Sequence, residues 1–239
     1  MRGHFARVRL QARNNSTRER CGLISHHDKC LFVHVPKCAG QSIENFFLQR
    51  AGLDWNTRAP LLLRPNDVPE LGPPRLAHLK AHEYVEKKWM TQDQFDEYFK
   101  FTFVRNPWDR VASFYRFLGF DRFASFPTFV RKHLPVQLQK KGWFLCPQAD
   151  YLYDRDHRLL VDFVGRFETL SKDFETACGR MGIEDAKLPH VNDSRTARPG
   201  LKNWLRPRAR PYREMYDAQT ERLVADYYAA DIDAFQYRL

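Results

Sequence analysis

The 239-residue sequence has few of the features that mark membrane-spanning, disulfide-linked or metal-binding proteins. No uninterrupted apolar run approaches the length of a membrane span, and the arginine-rich N-terminus lacks the apolar stretch of a secretory signal. The five cysteines are widely scattered and include no C-x-x-C pair, which argues against a disulfide framework and against a zinc site. We therefore expect a cytoplasmic protein with reduced thiols, no membrane span and no metal.

Several common nucleotide and nucleic-acid motifs are also missing. The Walker pattern G-x-x-x-x-G-K-[ST] does not occur, and no RRM, helix-turn-helix or zinc-finger pattern can be found. The net charge of +10 nevertheless predicts an anionic partner. A non-enzymatic nucleotide- or nucleic-acid-binding protein remains an alternative. We expect no nucleic acid as the partner, because the basic residues cluster at turns of the type that bind phosphate.

The length and the order of the predicted elements favour one α/β domain. Apolar strand patterns alternate with helical patterns, which predicts a mainly parallel central sheet flanked by helices. Residues 1–29 are polar, arginine-rich and without clear periodicity, so we expect a flexible basic arm followed by a domain over 30–239. Thr91, with a glutamine three residues later, predicts a capped helix. A further amphipathic helix is expected from about Arg213 to Ala230.

The stretch L-F-V-H-V-P-K-C-A-G-Q-S-I-E, residues 31–44, is typical of a strand, a turn and a helix. Four of its first five residues are apolar, and a helical apolar pattern begins at Ile43. Such a turn directs backbone N–H groups and the positive end of a helix dipole toward one point, where phosphate or sulfate binds well. Lys37 adds a positive charge, Gly40 removes a side chain where an anion must approach, and Ser42 supplies a hydroxyl.

A second stretch, K-F-T-F-V-R-N-P-W-D-R-V-A-S-F-Y, repeats this arrangement further along the chain. An aromatic and β-branched strand ends at Arg105, and Pro107 is placed in the first turn of the helix that follows. A cation again follows a strand at the start of a helix. Two phosphate-type turns on successive core strands suggest a ligand with phosphate groups at both ends.

These two stretches together resemble the sulfotransferases that use 3'-phosphoadenosine 5'-phosphosulfate (PAPS). The similarity is greatest to the carbohydrate branch that includes heparan sulfate 2-O-sulfotransferase, and specifically to a soluble member of bacterial type. It continues through C-P-Q-A-D-Y-L, V-D-F-V-G-R-F-E-T-L, L-P-H-V-N-D-S and Y-Y-A-A-D-I-D-A-F-Q-Y. The resemblance implies a P-loop-like phosphosulfate-binding loop and metal-independent, in-line transfer of a sulfuryl group.

The resemblance also implies roles for residues in both turns. Lys37 is expected to neutralise the bridging oxygen as the sulfuryl group leaves. The backbone of residues 39–42 is expected to hold the 5'-phosphate, and Arg105 and Ser113 the 3'-phosphate. Cys38 stands where the family often has threonine, which removes a possible hydroxyl contact. The expected residues for binding PAPS, and its product PAP, are Pro36, Lys37, Cys38, Ala39, Gly40, Gln41, Ser42, Arg105 and Ser113.

The general base and the acceptor are less sharply indicated. The family's base lies between the two turns, where R-L-A-H-L-K-A-H-E-Y offers His78 and His82, and a helix here would place both on one face. The context of His78 resembles the family's more closely, and His82 remains its rival. The acceptor implied is an anionic or neutral glycan, with lipids or small alcohols as alternatives. A basic, proline-containing segment offers Lys202, Arg206, Arg208 and Arg210 for binding it, with a merely solvated charged surface as the alternative.

Overall fold

The computed structural model describes residues 23–61, 63–188 and 211–239 of the chain. At its centre is a four-stranded sheet in which the strands are adjacent in chain order. The strands are β1 (Ile24–Ser25), β2 (Cys30–Val33), β3 (Phe99–Val104) and β4 (Phe163–Arg166). β1 runs antiparallel to β2, whereas β2, β3 and β4 are mutually parallel. The expected α/β domain with a mainly parallel sheet is therefore confirmed.

Helices connect the parallel strands. Between β2 and β3 lie α1 (Gly40–Arg50), α2 (Glu83–Glu86) and α3 (Gln92–Glu97). Between β3 and β4 lie α4 (Pro107–Phe117), α5 (Phe126–Thr128), a π-helical turn (Phe129–His133), α6 (Leu134–Lys140), α7 (Gly142–Leu145) and α8 (Ala149–Leu152). After β4 come α9 (Leu170–Arg180), α10 (Ala218–Tyr227) and α11 (Ala229–Phe235). Single 3-10 turns occur at Ala59–Leu61, Pro69–Leu71, Leu76–His78, Phe120–Arg122, Phe167–Thr169 and Tyr212–Met215.

The core lies on both faces of the two central strands. All residues of β2 are buried, as are those of β3 after Phe99, which is typical of strands covered by helices on each side. The one charged residue among them, Lys100, is satisfied locally. Its Nζ donates to the carbonyls of Phe95 (3.0 Å) and Tyr98 (2.8 Å) and lies 3.0 Å from the carboxylate of Asp162. These contacts allow a lysine to be buried in the sheet.

Side-chain caps fix the start of several helices. Thr91 and Gln94 form the capping box expected at the start of α3. In α4, the side chain of Asn106 accepts from the Trp108 N–H at 3.1 Å, and Pro107 occupies the first turn as expected. The start of α1 differs, because Ala39, the residue that precedes it at the cap position, is left-handed and provides no side-chain cap.

Two boundaries differ from the sequence-based expectations. The sheet begins before residue 30, because Leu23 and Ile24 are apolar and buried and β1 pairs with β2. The remainder of the expected basic arm lies outside the described residues. The final helix is also interrupted: α10 ends at Tyr227, and α11 begins after Tyr228, whose buried hydroxyl donates to the carbonyl of Leu145 at 2.9 Å. Across the three described ranges, no helix combines the length and apolarity needed to span a bilayer.

Candidate active site

The two predicted phosphate-type turns meet at one edge of the sheet. The first, residues 34–39, joins β2 to α1, and we call it the donor loop. Arg105 directly follows β3, the parallel neighbour of β2, so both turns are at the carboxyl ends of adjacent strands. A hydrogen bond from Nη1 of Arg105 to the carbonyl of Lys37 (3.2 Å) joins them.

The donor loop is held in an unusual backbone conformation. Lys37 and Ala39 have φ angles of 69° and 64°, left-handed values that are uncommon in residues other than glycine. Residues in such conformations persist where the surrounding structure fixes them. Here the buried Arg110 donates from Nε to the carbonyl of Pro36 at 3.0 Å. Tight turns with left-handed residues and an uncapped helix start gather backbone N–H groups into a concavity suited to anions.

The side chain of Lys37 lies over an aromatic ring. Its Nζ is 4.1 Å from the centroid of Phe117, a contact between a cation and a π face. Burial, and to a smaller extent the charge of Arg105, lowers the pKa of Lys37 to about 8. The ammonium group therefore gives up its proton more readily than an exposed lysine does, and it gains stability from any anion that binds beside it.

Cys38 faces the interior of the protein. Its Sγ lies 3.3 Å from Oε1 of Gln148 and 3.7 Å from the carbonyl of Pro36, and the residue is buried. Burial raises the pKa of the thiol to about 12. Position 38 thus anchors the donor loop to the core, which gives a structural reason why a thiol can stand where a hydroxyl was expected.

Arg105 is firmly oriented by its neighbours. Its Nε and Nη2 each lie 2.8 Å from Oδ2 of Asp109, one turn into α4. The guanidinium also stacks on Phe167, 3.9 Å from the ring centroid. Ser113, its expected partner, lies further along α4 and is half-buried. Phe167 is also the first residue of a segment, extending to Lys172, that lines an open cavity of about 410 Å³.

The two candidate bases lie in different surroundings, and the helix that would place them on one face does not form. The 3-10 turn ends at His78, Leu79 is extended, and α2 starts only at Glu83, so the histidines do not share a helical face. His82 is partly exposed, 3.9 Å from Glu86, and within the described chain its buried Nδ1 has no hydrogen-bond partner. His78 is buried beside Phe144.

The hydrogen bonding of His78 fixes its tautomer. Its Nδ1 lies 3.1 Å from the carbonyl oxygen of His34, and a carbonyl can only accept. Nδ1 therefore carries the hydrogen, and Nε2 has the lone pair that a general base needs. Burial, followed by the neighbouring His34, lowers the pKa of His78 well below its ordinary value of 6.5. The ring is consequently neutral at physiological pH.

An aromatic cluster connects the surroundings of Lys37 and His78. The ring of Phe117, under the lysine ammonium, lies 5.5 Å from the ring of Phe144, and Phe144 lies 5.5 Å from His78. Trp143 also contacts His78, at 5.9 Å between centroids. The lysine and the histidine therefore lie at two ends of one aromatic wall, of which Phe117 is 57% exposed.

The sequence analysis missed a buried pair that connects the first turn to α1. Nδ1 of His34 lies 2.5 Å from Oε1 of Glu44, and both side chains are nearly inaccessible to solvent. The tip of the His34 ring occupies the space that a Cβ atom on Gly40 would need. Gly40 is thus required by the histidine packed beside it, and the approach of an anion is not needed to explain it. A histidine inside an apolar strand was the signal available in the sequence.

A buried polar network below both turns was missed as well. Gln148 accepts from the Arg105 N–H at 2.8 Å and donates to the Arg105 carbonyl at 2.8 Å. It also lies 3.1 Å from Asp231, which accepts from the N–H of Ala149 at 2.9 Å. Arg110 donates to the carbonyls of Pro36 and Cys146. The spacing of these residues in the sequence does not indicate that they meet, although Gln148 lies in C-P-Q-A-D-Y-L and Asp231 in Y-Y-A-A-D-I-D.

Two further expectations concern acceptor and metal. The basic residues Lys202, Arg206, Arg208 and Arg210 lie outside the described residues. Within residues 23–61, 63–188 and 211–239, no three His, Cys, Asp or Glu side chains are grouped so that they could hold a metal ion.

Comparison with known proteins identifies the family. An uncharacterized protein of Archaeoglobus fulgidus is 29% identical over 114 residues, which cover 44% of this chain and 88% of that protein. No solved structure matches the chain. The sequence model described as the sulfotransferase family matches residues 22–238, nearly the whole chain and both turns of the site. The chain therefore belongs to the sulfotransferase family.

Proposed function

We propose that this chain transfers the sulfuryl group of PAPS to a hydroxyl or amine of a glycan or glycoconjugate. The observation that carries the proposal is the link between the two cationic turns, in which Arg105 hydrogen-bonds the Lys37 carbonyl at 3.2 Å. A nucleotide with a 5'-phosphosulfate and a 3'-phosphate needs positive charge at two nearby points. The joined turns supply one cation for each.

The residues of the donor loop fit a phosphosulfate group. The uncapped start of α1 and the left-handed turn before it favour an anion. The Ser42 N–H already donates to the Ala39 carbonyl at 3.0 Å. We therefore assign the 5'-phosphate to the earlier N–H groups of the loop together with the Ser42 hydroxyl. Arg105 and Ser113 take the 3'-phosphate, and the open cavity beside Phe167 leaves space for the nucleoside.

PAPS supplies an activated sulfuryl group whose leaving oxygen belongs to a phosphate. During in-line displacement, the acceptor oxygen forms a bond to sulfur while the bond from sulfur to the bridging oxygen breaks, and the electron pair of that bond stays on the phosphate. Lys37 stabilises this developing charge, which is greater in the transition state than in the ground state. His78, through its unprotonated Nε2, accepts the proton of the acceptor.

The acceptor is proposed from less direct observations. The wall between Lys37 and His78 is aromatic, and Phe117 offers an exposed flat face next to the lysine. Aromatic faces of this kind accommodate the apolar face of a ring. The basic segment with Lys202, Arg206, Arg208 and Arg210 adds charge for an anionic glycan. Replacing these four residues with alanine should raise the acceptor KM, most at low salt, and leave nucleotide affinity unchanged.

Two measurements test the proposal. In a thermal-shift titration, PAP at 100 times its dissociation constant should stabilise the protein by about 2.7 kcal/mol, whereas AMP should bind more weakly. Equal stabilisation by AMP would contradict the proposal that Arg105 and Ser113 bind the 3'-phosphate. Incubation with labelled PAPS and a panel of polysaccharides, lipids and small alcohols then identifies the acceptor class. Label transfer to lipids or small alcohols alone would contradict the glycan assignment.

A further inference from the structure

One buried contact connects the two segments on either side of the donor loop. His34 follows β2 and enters the loop, and Glu44 lies on α1 just after it. Their side chains meet at 2.5 Å, with 10% and 4% of their side-chain surfaces exposed. The carboxylate accepts, so Nδ1 of His34 donates. This hydrogen bond therefore ties the first residue of the donor loop to the helix that follows the loop.

The same histidine also contacts the candidate base. The rings of His34 and His78 are 4.5 Å apart in an edge-to-face arrangement. The backbone carbonyl of His34 takes the Nδ1–H of His78 at 3.1 Å. One residue therefore sets both the orientation of the His78 ring and the identity of its free nitrogen.

The third contact of His34 is with the start of α1. Its ring lies against Gly40 so closely that a Cβ atom there would overlap it. On its other side, His34 stacks on Phe32, 5.6 Å away between centroids. The ring is thus enclosed between β2 and α1 and is kept in one orientation by Glu44.

We propose that Glu44 and His34 act as positioning residues that couple the donor loop to the base His78. This proposal rests on the proposed function and extends it. A displacement of about 1 Å at a reacting group can lower a rate 100-fold, so a contact that fixes both partners of the reaction affects catalysis strongly without touching substrate. A purely structural pair would affect stability alone.

The test compares Glu44→Met with Glu44→Gln. Methionine keeps the length of the side chain and removes the acceptor, whereas glutamine keeps a neutral acceptor. Arg50→Met is the matched control, because Arg50 is on the last turn of the same helix and binds Asp28 at 2.7 Å, away from the donor loop. All three variants are examined by denaturation, by PAP binding, by steady-state kinetics and by amide hydrogen exchange over residues 35–43.

We expect Glu44→Met to raise the Kd for PAP about tenfold and to lower kcat about 100-fold. Exchange over residues 35–43 should become faster. Glu44→Gln should lie between Glu44→Met and the wild type in every measurement, since a neutral acceptor makes a weaker bond than a carboxylate. Arg50→Met should lose stability and keep the wild-type Kd, kcat and loop exchange.

Hydrogen exchange separates failure of this proposal from failure of the proposed function. If the wild type does not bind PAP, the donor assignment is wrong, and exchange over residues 35–43 still decides whether the pair holds the loop. Wild-type exchange and kcat in Glu44→Met would overturn the coupling. If Glu44→Met does not fold, unchanged loop exchange in Glu44→Gln would overturn it in the same way.

Discussion

Asp109 holds two nitrogens of Arg105 at 2.8 Å, so this guanidinium is oriented before any ligand arrives. Both nitrogens approach the same oxygen, Oδ2, in a contact between opposite charges, which is stronger than a neutral hydrogen bond. A lysine at the same position could supply the charge, but neither the forked geometry nor the stacking on Phe167. We therefore expect the affinity for a phosphate at Arg105 to depend on the shape of the cation as well as on its charge.

Arg105→Lys should therefore weaken binding of PAP by about tenfold or more, because hydrogen bonds to charged groups contribute roughly 1.5–3 kcal/mol. Binding of AMP, which lacks a 3'-phosphate, should hardly change. Calorimetric titration of both nucleotides gives the comparison. Arg180→Lys serves as the control, because Arg180 also stacks on an aromatic ring. That ring belongs to Phe163 at the start of β4, whereas Phe167 follows the end of the strand. Equal losses for PAP and AMP would contradict the assignment.

The lowered pKa of Lys37 predicts an alkaline limit to activity. Below a pH of about 8 the ammonium is charged and can stabilise the leaving phosphate, and above it the charge is lost. We expect kcat/KM for the donor to fall as pH rises through this value. In Lys37→Arg this fall should move to higher pH, because a guanidinium stays protonated throughout. If the fall occurs at the same pH in Lys37→Arg, the titration belongs to another group.

Replacing the base should lower kcat by about 10²- to 10⁴-fold with nucleotide affinity preserved. We expect this loss in His78→Ala and near-normal rates in His82→Ala, because His78 is the histidine whose tautomer is fixed beside the donor loop. Burial lowers the pKa of His78 well below its ordinary value of 6.5, so activity should persist to a more acidic pH than an exposed histidine would allow. Steady-state rates of both variants across pH provide the measurement. A loss confined to His82→Ala would reverse the assignment.

Cys38 should be chemically inert in the folded protein. Its pKa of about 12 keeps the thiol protonated at ordinary pH, and the thiolate is the form that alkylating reagents attack. Mass spectrometry after iodoacetamide treatment at pH 8 should find this residue modified only after denaturation. Cys38→Ser should retain the hydrogen bond to Gln148 and bind PAP normally. Rapid alkylation of the native protein would show that the thiol is exposed to solvent and does not face the core.

Arg110 should be important for stability. Its guanidinium is fully buried and donates to the carbonyls of Pro36, Cys146 and Phe144 at 3.0, 2.9 and 3.5 Å. Arg110→Leu leaves these acceptors without a partner, at about 1–3 kcal/mol for each buried group. Urea denaturation should show a loss on the order of 3 kcal/mol. A loss below about 1 kcal/mol would mean that water replaces the guanidinium.

Local patterns were sufficient to predict the two central strands and the location of both turns, but not the short edge strand β1. The apolar runs around Phe32 and Phe101 identified buried strands, and parallel neighbours bring their carboxyl ends together. Thr91 identified a helix start because the capping box involves residues only three apart. These features depend on neighbours in sequence, so they can be read without knowledge of the fold.

Contacts between distant segments could not be predicted in this way. The link from Gln148 to Asp231 joins the residue that precedes α8 to a residue of α11, and no spacing rule connects them. His78 and His82 would share one face only in a regular helix, but the chain becomes extended at Leu79 and loses the helical period. Candidate residues could be named from the sequence, but their orientation depends on tertiary packing.

The overlap between the ring of His34 and the missing side chain of Gly40 makes the two positions dependent on each other in evolution. While a histidine occupies position 34, a change to alanine at position 40 is blocked by the ring. A change at position 34 to a smaller residue removes that barrier and also leaves Glu44 without its partner. Substitutions at positions 34, 40 and 44 should therefore appear together among homologous sequences. Where the histidine has been replaced, neither the glycine nor the glutamate should be conserved.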